Sequence, residues 1–255
     1  MSGSGLKSLT ATKIDLIGPG LHLAGYLGSL KIGDVGGGAD IVVGGTPPAT
    51  LRNPSVKITA GVIGAGSDVT VAAAPLGSLT AISVGDGTVT APSVGTITAR
   101  KKAKTKAAAA VPGDFNADVS VSRAGVEAAK PALKKLKAAG GVTDAVITVA
   151  GNLGNVSVAG RVSGTMVDVT GDVGAVSVGS FWNSRLDAGH TGTNTYALGR
   201  AGGFLIPLIN AAWHITDGAD YFLSGTFTAT PSDGRADAWI GELLTAARTR
   251  LSFSL

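Results

Sequence analysis

The chain of 255 residues is long enough to bury a core, as one large domain or two small ones, and its net charge of +4 selects no class of partner. Its 39 glycines are about twice the usual share of about 7%, only 15% of residues are charged and 5% aromatic, which excludes a coiled coil, while 44% hydrophobic content argues against disorder. The glycines follow no three-residue period, which excludes collagen; there is no cysteine, which excludes disulfides and thiolate metal sites; and no run of about 18 apolar residues is present to span a membrane as a helix.

The opening Met1-Ser-Gly-Ser-Gly5 lacks the basic and apolar stretches of a signal peptide. Location is left open between an internal protein and a processed or internal piece of a longer one. From Leu6 onward a unit recurs. Leu6-KSLTA and Leu27-GSLKIGDVGGGADIVVGG share an opening 21 residues apart, and a looser copy begins at Ser55-VKITAGVIGAGSDVTVAAA. Leu76-GSLTAISVGDGTVTAP and Val94-GTITA repeat it 18 residues apart. Apolar residues two apart mark short strands, and Gly, Asp, Asn and Ser between them mark turns.

Two units are stretched. One carries the Pro-containing segment Thr46-PPATLRN, an inserted loop near 46–54; the other carries Arg100-KKAKTKAAAAV, an inserted loop at 100–112. The second concentrates Arg100, Lys101, Lys102, Lys104 and Lys106, a run that marks either a solvated loop or a surface for an anionic partner. No base-stacking aromatic lies nearby, so no specific nucleic acid is expected. Residues 1–137 hold 15 basic and 8 acidic side chains and the remainder 6 and 9, so charge is polarised along the chain.

Pro112-GDFNADVSVSRAGVEA begins like a calcium loop, with Asp114, Asn116 and Asp118 at alternate positions. The turn glycine is replaced by Val119 and the twelfth-position carboxylate by Gly125, so the competing reading is a strand at Asp118-VSVS matching Ala145-VITV. Residues 124–139 have helical propensity, but Pro131 and the register of Leu136 with Val156 and Val176 favour another coil.

Between 133 and 189 the repeat settles at 20 residues. The columns Leu136/Val156/Val176, Ala138/Val158/Val178, Val142/Val162/Trp182 and Val146/Met166/Leu186 are apolar throughout. After residue 180 the pattern changes: ten of the twelve aromatic residues lie from Phe181 onward. Asp237 as N-cap and the spacing of Trp239, Ile240, Leu243, Leu244 and Ala247 suit a helix. Bulky side chains here suit a cap over the last coil or, alternatively, a carbohydrate site.

Units of about 20 residues without a long helix define an all-β chain: a single parallel β-helix (β-solenoid) of about eight coils, starting near 6, 27, 55, 76, 94, 133, 153 and 173. The solenoid is expected over 1–190 and the aromatic-rich cap, helix included, over 191–255.

No catalytic constellation is read. His22, His190 and His214 are isolated, His22 pointing outward from a strand. No nucleophile elbow or phosphate loop occurs, and no cofactor is implied. Glycoside cleavage needs two carboxylates on one face. Asp168 and Asp172 adjoin, and Asp168 with Arg161 or Arg185 is conceivable for a lyase, yet paired acids do not recur on a face. The T-x-T pairs Thr10/Thr12, Thr88/Thr90 and Thr96/Thr98 are not expected to stack through successive coils.

The stretch Leu153-GNVSVAGRVSGTMVDVTGDVGAVSVGSFWNSRLDAG resembles the L-G-x-V-x-V-x-G repeats of large bacterial cell-surface and secreted β-solenoid proteins, and Phe181-WNSRLDAG is similar to the close of such arrays. The resemblance covers roughly residues 6–190. It implies a stalk, adhesin or scaffold in an extracellular or cell-surface setting. The expected function is therefore a non-enzymatic structural or interaction module that assembles with its own copies or a neighbouring scaffold protein. The alternative is a carbohydrate-binding or polysaccharide-cleaving β-helix.

Overall fold

A computed structural model describes residues 5–104, 109–124 and 130–188, together with the backbone of four short strands further on. The chain winds as a parallel β-solenoid with three-sided coils. The first face stacks eight parallel strands, Leu9–Ala11, Ser29–Ile32, Val56–Thr59, Leu76–Ala81, Val94–Ala99, Leu133–Ala138, Leu153–Ser163 and Val176–Trp182. The third face stacks another eight, from Gly20–Leu23 and Asp40–Val43 through Val69–Val71, Thr88–Ala91, Asp118–Val121 and Val146–Val149 to Met166–Val169 and Arg185–Ala188. Between them runs a narrow second face of short pairs and single bridges, from Leu16 through Val35, Ile63, Val84 and Phe115 to Val142, Val162 and Phe181. At ~4.8 Å per step, eight rungs span about 34 Å.

Each strand alternates, and only every second side chain enters the coil. Identical positions of successive coils stack into ladders. One runs Leu30, Ile58, Leu79, Ile97 and Leu136 on the first face; another runs Ile41, Val69, Val89, Val119 and Ile147 on the third; all are buried. Burial of these ladders is the main favourable term, because no single coil can cover its own apolar ring. All eight coil starts expected from the sequence fall on first-face rungs or immediately before them, including the strand at 133–138 where propensity suggested a helix.

The glycine of the L-G-x-V unit has a steric cause. A Cβ on Gly154 would overlap the carbonyl oxygen of Lys134 in the coil below, and one on Gly174 would lie 2.5 Å from that of Gly154. Stacked backbones meet here at a separation only glycine allows.

Corner aspartates and asparagines tie several coils to their neighbours. The Oδ1 of Asp15 accepts the N–H of Asp34 at 2.8 Å, and that of Asp34 accepts the N–H of Val62 at 2.7 Å. At the following corner Asp40 accepts from Asp68 and Asp68 from Thr88, at 3.0 and 2.8 Å. Asn152 does the same for Asp172. Where the corner residue is buried, a hydroxyl takes over: Ser184 Oγ accepts the N–H of Thr165 at 3.0 Å and donates to the carbonyl of Trp182 at 2.8 Å.

The structure corrects two apolar columns. Val162 pairs with Phe181, not Trp182, because the last coil is one residue shorter at the corner after Val158/Val178. Phe181 is therefore buried and Trp182 is 54% exposed. Met166 pairs with Arg185 rather than Leu186, and Val146 and Met166 face solvent while Ala145 and Ile147 take the inner positions. Three apolar residues in a row cannot all enter a period-two strand.

Beyond Ala188 the described strands that adjoin the last coil pair with it antiparallel. Strand 213–217 pairs antiparallel with Arg185–Ala188 and strand 204–205 antiparallel with Val176–Trp182; 221–224 and 251–253 follow. There is no helix among the described residues; the helix expected around 237–247 lies outside them.

In the last coils the first-face ladder changes from Leu136 to Val156 and Val176, leaving a cavity of about 30 Å³ lined by these residues, Val162, Thr165 and Phe181. Val156→Leu is expected to fill it and stabilise the fold by up to about 1 kcal/mol. Gly154→Ala is expected to destabilise by about 1–3 kcal/mol through overpacking. Urea midpoints of the two variants check both; equal midpoints would contradict the stacking described.

Candidate functional site

The inserted basic run leaves the coil directly after the first-face strand Val94–Ala99. Arg100 donates its backbone N–H to the Ala81 carbonyl, after which Arg100, Lys101, Lys102 and Lys104 are all exposed. Lys102 and Val111 exchange two antiparallel backbone bonds, 2.8 and 3.0 Å, and pinch the excursion shut at its base. Lys106 lies outside the described residues.

The first face adds cations that no sequence run revealed. Its strands place Lys31, Lys57, Lys134, Lys135 and Lys137 at exposed positions, and all but Lys134 fall in two outward rows. They are distributed over a hundred residues of sequence but only five coils. The legible signal is the outward position of an apolar-Lys-apolar strand, as in Leu30-Lys31-Ile32 and Val56-Lys57-Ile58. Among the described residues none of the four in these rows is paired with a carboxylate.

Hydroxyls lie in register between these lysines. One outward row runs Lys31, Thr59, Thr80, Thr98, Lys137; the other runs Lys57, Ser78, Thr96, Lys135. On the third face Thr70, Thr90, Ser120 and Thr148 form a further row. Single hydroxyl residues thus align in rows, while none of the pairs Thr10/Thr12, Thr88/Thr90 and Thr96/Thr98 lies over another T-x-T pair, in accord with the sequence expectation. Coil lengths differ, with 18 residues from Leu76 to Val94 and 39 from Val94 to Leu133, so equal spacing in sequence is a poor guide to register.

Among the acidic groups, Asp168 and Asp187 stand in register in adjacent coils on the outward side of the third face, a single pair that continues into Thr148 and Ser120 rather than into further acids. Asp187 is ion-paired with Arg185, and His214 falls opposite Asp187 in the antiparallel pair. Arg161 is elsewhere, paired in register with Ser180 beyond the first face. His22 is exposed on the third face, with its Nε2 2.8 Å from the Pro19 carbonyl oxygen; His190 lies outside the described residues.

Asp114, Asn116 and Asp118 each engage one Oδ1 with a different N–H of the next coil: Gly141 at 2.7 Å, Thr143 at 3.1 Å and Val146 at 2.7 Å. They follow the corner pattern of Asp34 and Asp68, and Asp118–Val121 is the third-face strand of its coil. Gly125 lies outside the described residues.

The fold is that of a parallel β-solenoid repeat protein. No family model, curated protein or solved structure matches the chain.

Because Asp118 supports the next coil, Asp118→Ala is expected to cost about 1–3 kcal/mol of stability, equally in EDTA and in excess calcium. A thermal midpoint of the unaltered protein that rises with calcium, and no longer does so in the variant, would assign the loop to the ion instead.

Proposed function

We propose that the protein is a non-enzymatic structural or interaction module, a rod that assembles with copies of itself or against a neighbouring scaffold protein. The observation that carries this reading is the first coil. Leu6, Ile14 and Ile17 are 46%, 64% and 74% exposed there. Strands Leu9–Ala11 and Gly20–Leu23 are paired on one side only among the described residues. Exposed apolar side chains beside a strand edge suit contact with another chain. The corner carboxylates add support, since groups that would serve chemistry elsewhere here hold the winding. A cell-surface or secreted setting accords with the L-G-x-V-x-V resemblance.

Light scattering over a concentration series, with electron microscopy of the same samples, tests the reading. End-to-end or lateral assemblies are expected, and Ile14→Lys with Ile17→Lys is expected to lower their apparent size. A protein strictly monomeric at high concentration, with no assemblies in the images, would overturn it.

The second reading is a carbohydrate-binding or polysaccharide-cleaving β-helix. The Asp168/Asp187 pair is the observation that favours cleavage, because glycoside hydrolysis commonly uses two carboxylates. A reducing-sugar assay over a polysaccharide panel decides: the module reading expects no release, and release abolished by Asp168→Asn would establish the enzyme.

A further inference from the structure

Four lysines and the hydroxyls they enclose make the first face unlike the other surfaces. Lys31 and Lys57 stand in the second and third coils, Lys135 and Lys137 in the sixth. Along the axis Lys31 and Lys137 are about 19 Å apart and Lys57 and Lys135 about 14 Å, at ~4.8 Å per rung. The rungs between carry Ser78, Thr80, Thr96 and Thr98, half-buried and in register in two rows. No acidic residue occurs on the outward rows between the lysine pairs. The excursion with Arg100, Lys101 and Lys102 leaves from the fifth of these coils, on the edge of the same face.

Ordinary solvation does not account for this distribution. The outward rows of the third face hold no lysine, and their one arginine, Arg185, is paired with Asp187. Lysines that guard sheet edges against aggregation belong on edge strands, whereas Lys57 and Lys135 are on strands paired on both sides.

We propose that the first face binds a linear acidic polysaccharide lying along the rod. The lysines pair with its carboxylates or sulfates, and the serine and threonine hydroxyls between them bond to sugar hydroxyls. A regular polymer matches a surface whose donors repeat at a fixed step. The face is a poor site for single-stranded nucleic acid, which needs aromatic platforms, since no aromatic residue projects from the rows between the lysine pairs. It is equally poor for a membrane, because none of the exposed large apolar side chains lies on those rows. The site uses the broad side of the rod and is independent of assembly through its first coil.

The test is fluorescence polarisation of labelled oligogalacturonate and of a sulfated heparin oligosaccharide. Neutral dextran, oligothymidylate and vesicles containing phosphatidylserine serve as the other arms. Binding of at least one acidic polysaccharide is expected, in preference to all three. The variant K31Q/K57Q/K135Q/K137Q is expected to lose about tenfold in affinity or more, and to lower the slope of log affinity against log salt by about 1 per contacting lysine. Thr80→Val with Thr98→Val is expected to weaken binding with that slope unchanged, which a diffuse charge attraction would not produce. If the fourfold variant melts early, K57Q and K137Q are measured singly. Absence of polysaccharide binding, equal or tighter binding of oligothymidylate or vesicles, or wild-type affinity in the lysine variants or the valine variant would each overturn the proposal. None of these outcomes changes the assembly measurement, so the two readings fail separately.

Discussion

Everything in this molecule depends on the backbone hydrogen bonds that run from coil to coil. Each strand of a parallel stack both donates to and accepts from each of its neighbours, as Leu153 does with Asp172 and Gly174 of the next coil, and the bonds fix a single step of ~4.8 Å. Once that step is set, like positions must lie over like positions. Apolar residues then form continuous inner ladders, small residues collect where backbones nearly touch, and outward residues become rows. The side-chain bonds at the corners are extensions of the same lattice. Asp34 reaches the N–H of Val62, and Asp118 that of Val146, where the turning backbone offers no partner of its own.

Glycine links the two levels most directly. Gly154 and Gly174 are adjacent in one column, each too close to the carbonyl below for a side chain. The composition that first distinguishes this chain is thus a consequence of stacking as much as of turning. Gly95, stacked on Gly77 in the same column, meets the same constraint, whereas Lys134 shows that the column is not glycine throughout.

The fold was legible because apolar-x-apolar pairs with a following turn are visible in any register, and eight of them begin the eight first-face rungs. Lateral neighbours were harder to read. Leu76 and Val94 are 18 residues apart, Val94 and Leu133 are 39 apart, yet both pairs are in contact as equals. Sequence spacing therefore hid the alignment of Thr80 with Thr98 and of Asp168 with Asp187. It also misplaced Trp182 by one residue, since a one-residue difference at a corner leaves both versions of the column apolar. The basic run at Arg100 was visible because it is contiguous in sequence. The lysine rows were not, because a face gathers residues from 31 to 137.

The 39-residue coil that carries the basic excursion advances the rod by the same single step as the 18-residue coil before it. Distance along the axis is therefore counted in rungs and is indifferent to the number of residues used to make each one. A segment inserted at a corner would hang from the side without lengthening the rod or shifting the graduations on its faces. The chain behaves as a ruler whose markings are set by hydrogen-bond spacing, and whose corners are free to acquire attachments without recalibrating it.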